Sequence, residues 1–162
     1  MLSKRAVLCA ISAIGGASLL GRSAAAAPAR NFEIQLSDAE WKRRLTPSQY
    51  AVLRQASTER PFTSPLNEEH RKGKFACAGC DRDLFASETK FDSGTGWPSF
   101  WAPLDGAVGQ GRDSSFGMER QETHCARCGG HLGHVFEDGP KPTGLRYCMN
   151  GVALTFKPAT AA

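Results

Sequence analysis

Two pairs of cysteines constrain this chain more than any other feature. Cys77-Ala-Gly-Cys80 and Cys125-Ala-Arg-Cys128 repeat one spacing. A C-x-x-C turn aims two sulfurs at one point, and two such turns complete a tetrahedron suited to Zn²⁺. Gly79 and the Gly129-Gly130 pair supply the tight backbone that such knuckles need. A closed shell of four thiolates leaves no place for a reacting water. The expected metal is therefore structural, a clamp between segments far apart in the chain. Disulfides are the other reading, since four cysteines permit three pairings. A redox C-x-x-C would normally appear once, beside a βαβ unit, and the sequence contains no such pattern.

Around this clamp the chain reads as a short helical lead-in followed by a compact antiparallel β domain. Ser37–Arg44 and Pro47–Ala56 have helical texture. Ser37 stands three residues before Glu40, the capping-box spacing. Thr46-Pro47 supplies the N-cap and first turn of the second helix, and Arg60-Pro61 bars its continuation. Beyond Lys72, short aromatic and β-branched runs alternate with Gly, Pro, Asp and Ser. The 17 Gly and 9 Pro fit such a loop-rich β fold better than a helical bundle. Strands are expected at Lys74–Ala76, Leu84–Ala86, Ser99–Trp101, Glu119–His124, Leu145–Met149 and Val152–Lys157. In the last, Val152, Leu154 and Phe156 share one face.

The amino terminus reads as an address. Lys4 and Arg5 precede the uncharged run Ala6–Gly21, and Ala24-Ala25-Ala26 offers a cleavage site. The expected layout is a removed signal peptide over 1–26, a linker over 27–36 and one domain over 37–158. Export to a bacterial periplasm is the expected destination, with a mitochondrial presequence as the alternative. Gly15, Gly16 and two serines, Ser12 and Ser18, make the apolar run a poor permanent membrane anchor. With Lys4, Arg5 and Arg22 removed, 17 Lys and Arg face 16 Asp and Glu. A body so near neutrality gives no footprint for nucleic acid.

Five cysteines are thereby assigned, four to the clamp and Cys9 to the removed segment, which leaves Cys148 alone. Its setting is Arg146-Tyr147-Cys148-Met149-Asn150 in an expected strand. Arg146, Cys148 and Asn150 then share one face. A guanidinium beside the sulfur favours the thiolate, and an amide can orient a substrate. A small buried hydrophobe is the plainer reading of a single cysteine. His131 and His134 follow directly on the second knuckle and can exchange protons near neutral pH. An i, i+3 pair falls on opposite faces of a regular strand, so both reach one pocket only if Gly133 allows a turn or bulge. His70 and His124 lack such a setting. In Ser93-Gly94-Thr95-Gly96-Trp97-Pro98-Ser99-Phe100, two glycines permit a sharp loop that displays Trp97 as an apolar wall for a small group.

Together these islands resemble the methionine-(R)-sulfoxide reductases of the MsrB (SelR) type, from about Trp41 to Phe156. The matching segments are Cys77–Cys80, Ser93–Phe100, the run Cys125-Ala-Arg-Cys128-Gly-Gly-His-Leu-Gly-His-Val-Phe136, and Arg146–Asn150. The resemblance implies a mainly β, tent-like fold of two antiparallel sheets with short N-terminal helices and a structural zinc clamp on Cys77, Cys80, Cys125 and Cys128. It implies reduction of methionine (R)-sulfoxide, free or in proteins, with Cys148 as nucleophile and His131 and His134 as proton donors. Arg146 and Asn150 fall on supporting positions, and Trp97 houses the substrate's S-methyl group.

One departure stands out. Many relatives carry a resolving cysteine in the glycine loop, where this chain has Thr95. A one-cysteine cycle is therefore expected, with a thioredoxin-like protein or small thiol as reductant, a sulfenic acid on Cys148 and a monomeric protein. A zinc-ribbon binding module and a Cys–His hydrolase using Cys148, His134 and Asn150 are the rivals.

Overall fold

The computed structural model describes residues 31–160; the signal expected over 1–26, and Cys9 with it, lie outside the described residues. Two helices open the fold, α1 (Asp38–Arg44) and α2 (Pro47–Gln55). Both begin with a reciprocal capping box. The Ser37 hydroxyl accepts from the Glu40 amide while the Ser37 amide donates to Glu40, and Thr46 and Gln49 repeat the arrangement. Ala56 ends α2 in the left-handed region at φ 52°, ahead of Pro61.

The strands are β1 (Gly73–Cys77), β2 (Asp83–Ala86), β3 (Lys90–Phe91), β4 (Ser99–Phe100), β5 (Val108–Asp113), β6 (Arg120–Cys125), β7 (His131–Phe136), β8 (Arg146–Met149) and β9 (Leu154–Pro158). They form two antiparallel sheets. One has three strands in the order β2-β1-β9, the other six in the order β3-β4-β8-β7-β6-β5. The mainly β, two-sheet architecture with short leading helices is thus the expected one. Val152 belongs to a 3₁₀ turn over Gly151–Ala153 rather than to β9. The composition of β3, β5 and β7 concealed them. Val108-Gly-Gln-Gly has no alternation, and β7 is buried along nearly its whole length.

The core lies between the sheets. Phe75 and Phe85 from the small sheet meet Phe100 and Tyr147 from the large one. Phe85 stacks on Phe100 at 4.3 Å between centroids, and Phe75 meets the same ring edge-on at 5.0 Å. Rings of this size dominate the burial energy of a small domain. Helix α2 covers the β7 end of this core through Val52 and Leu53. The stretch expected as a linker is docked over its described part. Phe32 packs edge-on against His124, the Ile34 amide donates to the Arg127 carbonyl, and Glu33 pairs with Arg127 at 2.8 Å.

Candidate active site and metal centre

The two knuckles are built alike. Cys77 ends β1 and Cys125 ends β6, and each pair's second cysteine lies in the following turn. Each turn closes with a left-handed residue, Asp81 at φ 61° or Gly129 at φ 68°, whose amide donates to the first cysteine's carbonyl. The four sulfurs lie within 4.8 Å of one another and are buried. Cys77 Sγ is 3.8 Å from Cys128 Sγ, and Cys80 Sγ is 3.5 Å from Cys125 Sγ. A disulfide needs about 2.05 Å, so these are open thiols. A tetrahedron with Zn–S of about 2.3 Å has edges of about 3.8 Å. The donor set therefore fits one Zn²⁺, held by Cys77, Cys80, Cys125 and Cys128. Leu53 of α2 and the Arg54 guanidinium, which donates to the Cys128 carbonyl at 3.1 Å, lid the cluster.

A second site lies on the six-stranded sheet. Ser99 of β4, Cys148 of β8 and His134 of β7 stand opposite one another in register. Cys148, His134, Trp97 and Asn150 line one cavity of about 100 Å³, with Thr58, Arg120, Gly133 and Phe136 completing its walls. The sheet solves the histidine problem with a bulge. Thr123 pairs with Gly133 and His124 with His131, so Leu132 is extra on β7. The two rings consequently come to 5.3 Å between centroids. Gly133 is needed for close approach, because a Cβ there would overlap the Cys148 carbonyl oxygen.

Each histidine rests on a carboxylate. His134 Nε2 is 2.7 Å from Asp113 Oδ2, and His131 Nδ1 is 2.9 Å from Glu122 Oε1. The backbone amide and hydroxyl of Ser115, then His134, hold the Asp113 carboxyl well below its usual range. Burial pushes His134 below an ordinary imidazole, against the opposing pull of Asp113. His131 does not line the cavity. It stands behind His134, 5% exposed, with its Nε2 buried and unpartnered among the described residues.

Arg146 also stands outside the cavity. Its guanidinium lies 4.4 Å over the Phe136 ring and forks onto Asp138, with both bonds 2.8 Å. From there it favours negative charge on Cys148, but burial of the sulfur is the larger effect, and the thiol is pushed up, not down. Arg146 thus favours the thiolate, as its place on the strand suggests, while burial of the sulfur works against it.

The Asn150 carboxamide is committed to backbone. Its nitrogen donates to the Leu132 carbonyl at 2.9 Å and its oxygen accepts from the Glu59 amide at 2.9 Å. Glu59 is a hub that sequence reasoning missed. Its carbonyl accepts from the Trp97 indole at 3.2 Å, and its carboxylate accepts from the amides of Gly151 and Val152. Asp113, Glu122 and Arg120 were missed as well, since only cross-strand register brings them to the site.

Residues 45–158 match the family model described as the SelR domain. The chain is 56% identical over 128 residues to a protein of Leptospira interrogans named peptide methionine sulfoxide reductase MsrB, covering 78% of this chain and 98% of that protein. Proteins of the same name from Agrobacterium fabrum and Pseudomonas putida are 57% and 58% identical, with 94% and 93% of their lengths covered. The alignments cover 78% and 76% of this chain. By domain match and by identity across nearly the whole of these relatives, the chain belongs to the MsrB (SelR) family.

Proposed function

We propose that this chain reduces methionine (R)-sulfoxide, in proteins or free, with Cys148 as the attacking nucleophile. The observation that carries the reading is the 100 Å³ cleft itself, which joins the Cys148 sulfur, the His134 ring and the Trp97 indole. Trp97 offers an apolar wall for the S-methyl group, and the Glu59 carbonyl fixes its indole. Cys148 loses its proton and its sulfur attacks the sulfoxide sulfur. The sulfoxide oxygen accepts protons by way of the His134–His131 pair and leaves as water, giving a Cys148–substrate sulfonium. Water then attacks Cys148 and methionine departs. In sum, thiol and sulfoxide become sulfenic acid and thioether; Cys148 is oxidised by two electrons and the substrate reduced by two. One reductant thiol condenses with the sulfenic acid, releasing water, and a second thiol frees Cys148.

The Asn150 geometry counts against a Cys–His–Asn hydrolase, since its carboxamide is spent on Glu59 and Leu132 rather than on a histidine. We further propose Zn²⁺ as the resident of the four-cysteine shell, where it supplies structural bracing. Export, supported by the amino-terminal pattern, and recycling by a thioredoxin-like protein or small thiol, supported by Thr95, complete the reading. The decisive experiment presents zinc-loaded protein and dithiothreitol with each sulfoxide epimer. The R form should turn over, the S form should not, and Cys148→Ser should abolish the reaction. Activity retained in Cys148→Ser would discard the mechanism.

A further inference from the structure

The hydroxyl at position 95 does more than vacate a cysteine's place. Thr95 Oγ1 lies 3.9 Å from Cys148 Sγ, within hydrogen-bond reach for sulfur. From there a line of hydroxyls runs inward. Thr95 Oγ1 is 2.8 Å from Ser93 Oγ, and Ser93 Oγ is 2.8 Å from Ser99 Oγ. Ser99, fully buried, donates to the Trp97 carbonyl at 3.2 Å. Gly94 and Gly96, both left-handed at φ 69° and 91°, turn the loop back so that these side chains converge.

The buried end fixes the direction of the whole line. A carbonyl only accepts, and each hydroxyl has a single proton. With the Ser99 proton on the Trp97 carbonyl, Ser93 donates to Ser99 and Thr95 donates to Ser93. Thr95 is then left to accept from the Cys148 S–H. When the sulfur becomes an anion it cannot donate. Thr95 turns its proton to the sulfur, Ser93 donates to Thr95, and Ser99 is left to serve Ser93 or the Trp97 carbonyl. No heavy atom needs to move. A hydrogen bond to an anion is stronger than one from a neutral thiol, so this reversal favours the thiolate.

We propose that Thr95 is a catalytic hydrogen-bond partner of Cys148 that reverses from acceptor to donor as the sulfur gains charge, and that Ser93 and Ser99 are positioning residues that relay the reversal. The inference rests on the reading of Cys148 as the reacting sulfur. It assigns the family's usual resolving position a different task in this chain, support of the single sulfur's anion. Other charges face that sulfur. Arg146 lies on its own strand with Asp138 behind it, His134 lies opposite on β7, and Arg120 lies across the cavity. None belongs to the hydroxyl line, so altering the line leaves them in place.

The test measures alkylation of Cys148 by iodoacetamide in the zinc-loaded protein as a function of pH, read by mass spectrometry without substrate. Thr95→Val keeps the shape and removes the hydroxyl. Its profile should shift to higher pH, with alkylation at pH 7.5 slowed about three- to tenfold, and Thr95→Ser should restore it. Ser93→Ala does not touch the sulfur and should move the profile part of the way. A Thr95→Val profile superimposable on the wild type overturns the proposal. A shift in Thr95→Val with Ser93→Ala unmoved overturns the relay. Thermal melts of each variant show that the fold is intact. Because no sulfoxide is involved, failure of the reductase reading in the epimer assay stays separate from failure here.

Discussion

Arg146 and Cys148 show how two residues with opposite demands share one strand. The guanidinium is bound twice by Asp138 and lies flat on Phe136, so its charge is held in place beside the sulfur. Burial nonetheless wins, and the Cys148 thiol stays above its ordinary value. Its alkylation rate should therefore keep rising with pH beyond the point, near pH 8.5, where an exposed thiol levels off. Replacing Arg146 by Met removes the one cation on that strand. It should push the thiol further up, and alkylation at pH 8 should fall about three- to tenfold, a tenfold change being one pKa unit. Arg146→Lys should recover part of the loss, as a charge without the fork. An unaltered profile in Arg146→Met would show that its charge never reaches the sulfur. Cys148, His131, His134 and Trp97 were legible in the sequence because their side chains are chemically conspicuous and their neighbours unusual. Glu59, Asp113 and Glu122 are common residue types whose work depends on what lies across a strand or under a loop. Local spacing carries no trace of that.

Among the elements, β7 was the hardest to read and matters most. Its one-residue bulge brings His131 and His134 to one side, and its glycine admits the β8 backbone. The need for a bulge could be stated from the i, i+3 spacing of the histidines. The strand itself could not be seen, because a central strand buried on both faces loses the alternation that marks a half-exposed one. The edge strand β5 hid for a different reason. Gly109 and Gly111 interrupt it, and Gly109 makes room for the His124 ring on β6. Gly133→Ala should separate β7 from β8 and cost about 2–3 kcal/mol or more, as an overpacked core position does. Urea unfolding measures this directly, and a midpoint equal to wild type would mean that the strands yield without strain. The helices, by contrast, were readable nearly to the residue. Their capping boxes are local signals, and local geometry honoured them.

For the molecule as a whole, the four sulfurs join the β1–β2 turn of the small sheet to the β6–β7 turn of the large one. The hydrophobic interface between the sheets and this knot stabilise the same arrangement, and β7, with both histidines, starts three residues past Cys128. Stripping the metal with a strong chelator, or Cys125→Ser, should lower the thermal midpoint by about 20 °C or more and extinguish activity with it. Native mass spectrometry should find one zinc per chain before treatment and none after. Undiminished thermal stability in the stripped protein would place the brace elsewhere.

Of the five cysteines in the described residues, four are at most 4% exposed, and Cys148 alone is partly exposed. Among the described cysteines, peroxide therefore meets one reachable sulfur, where the first oxidation product can be erased by a thiol and the second cannot. The catalyst's working life under oxidant stress becomes a race at that one atom, between the supply of fresh thiol and the arrival of another oxidising equivalent.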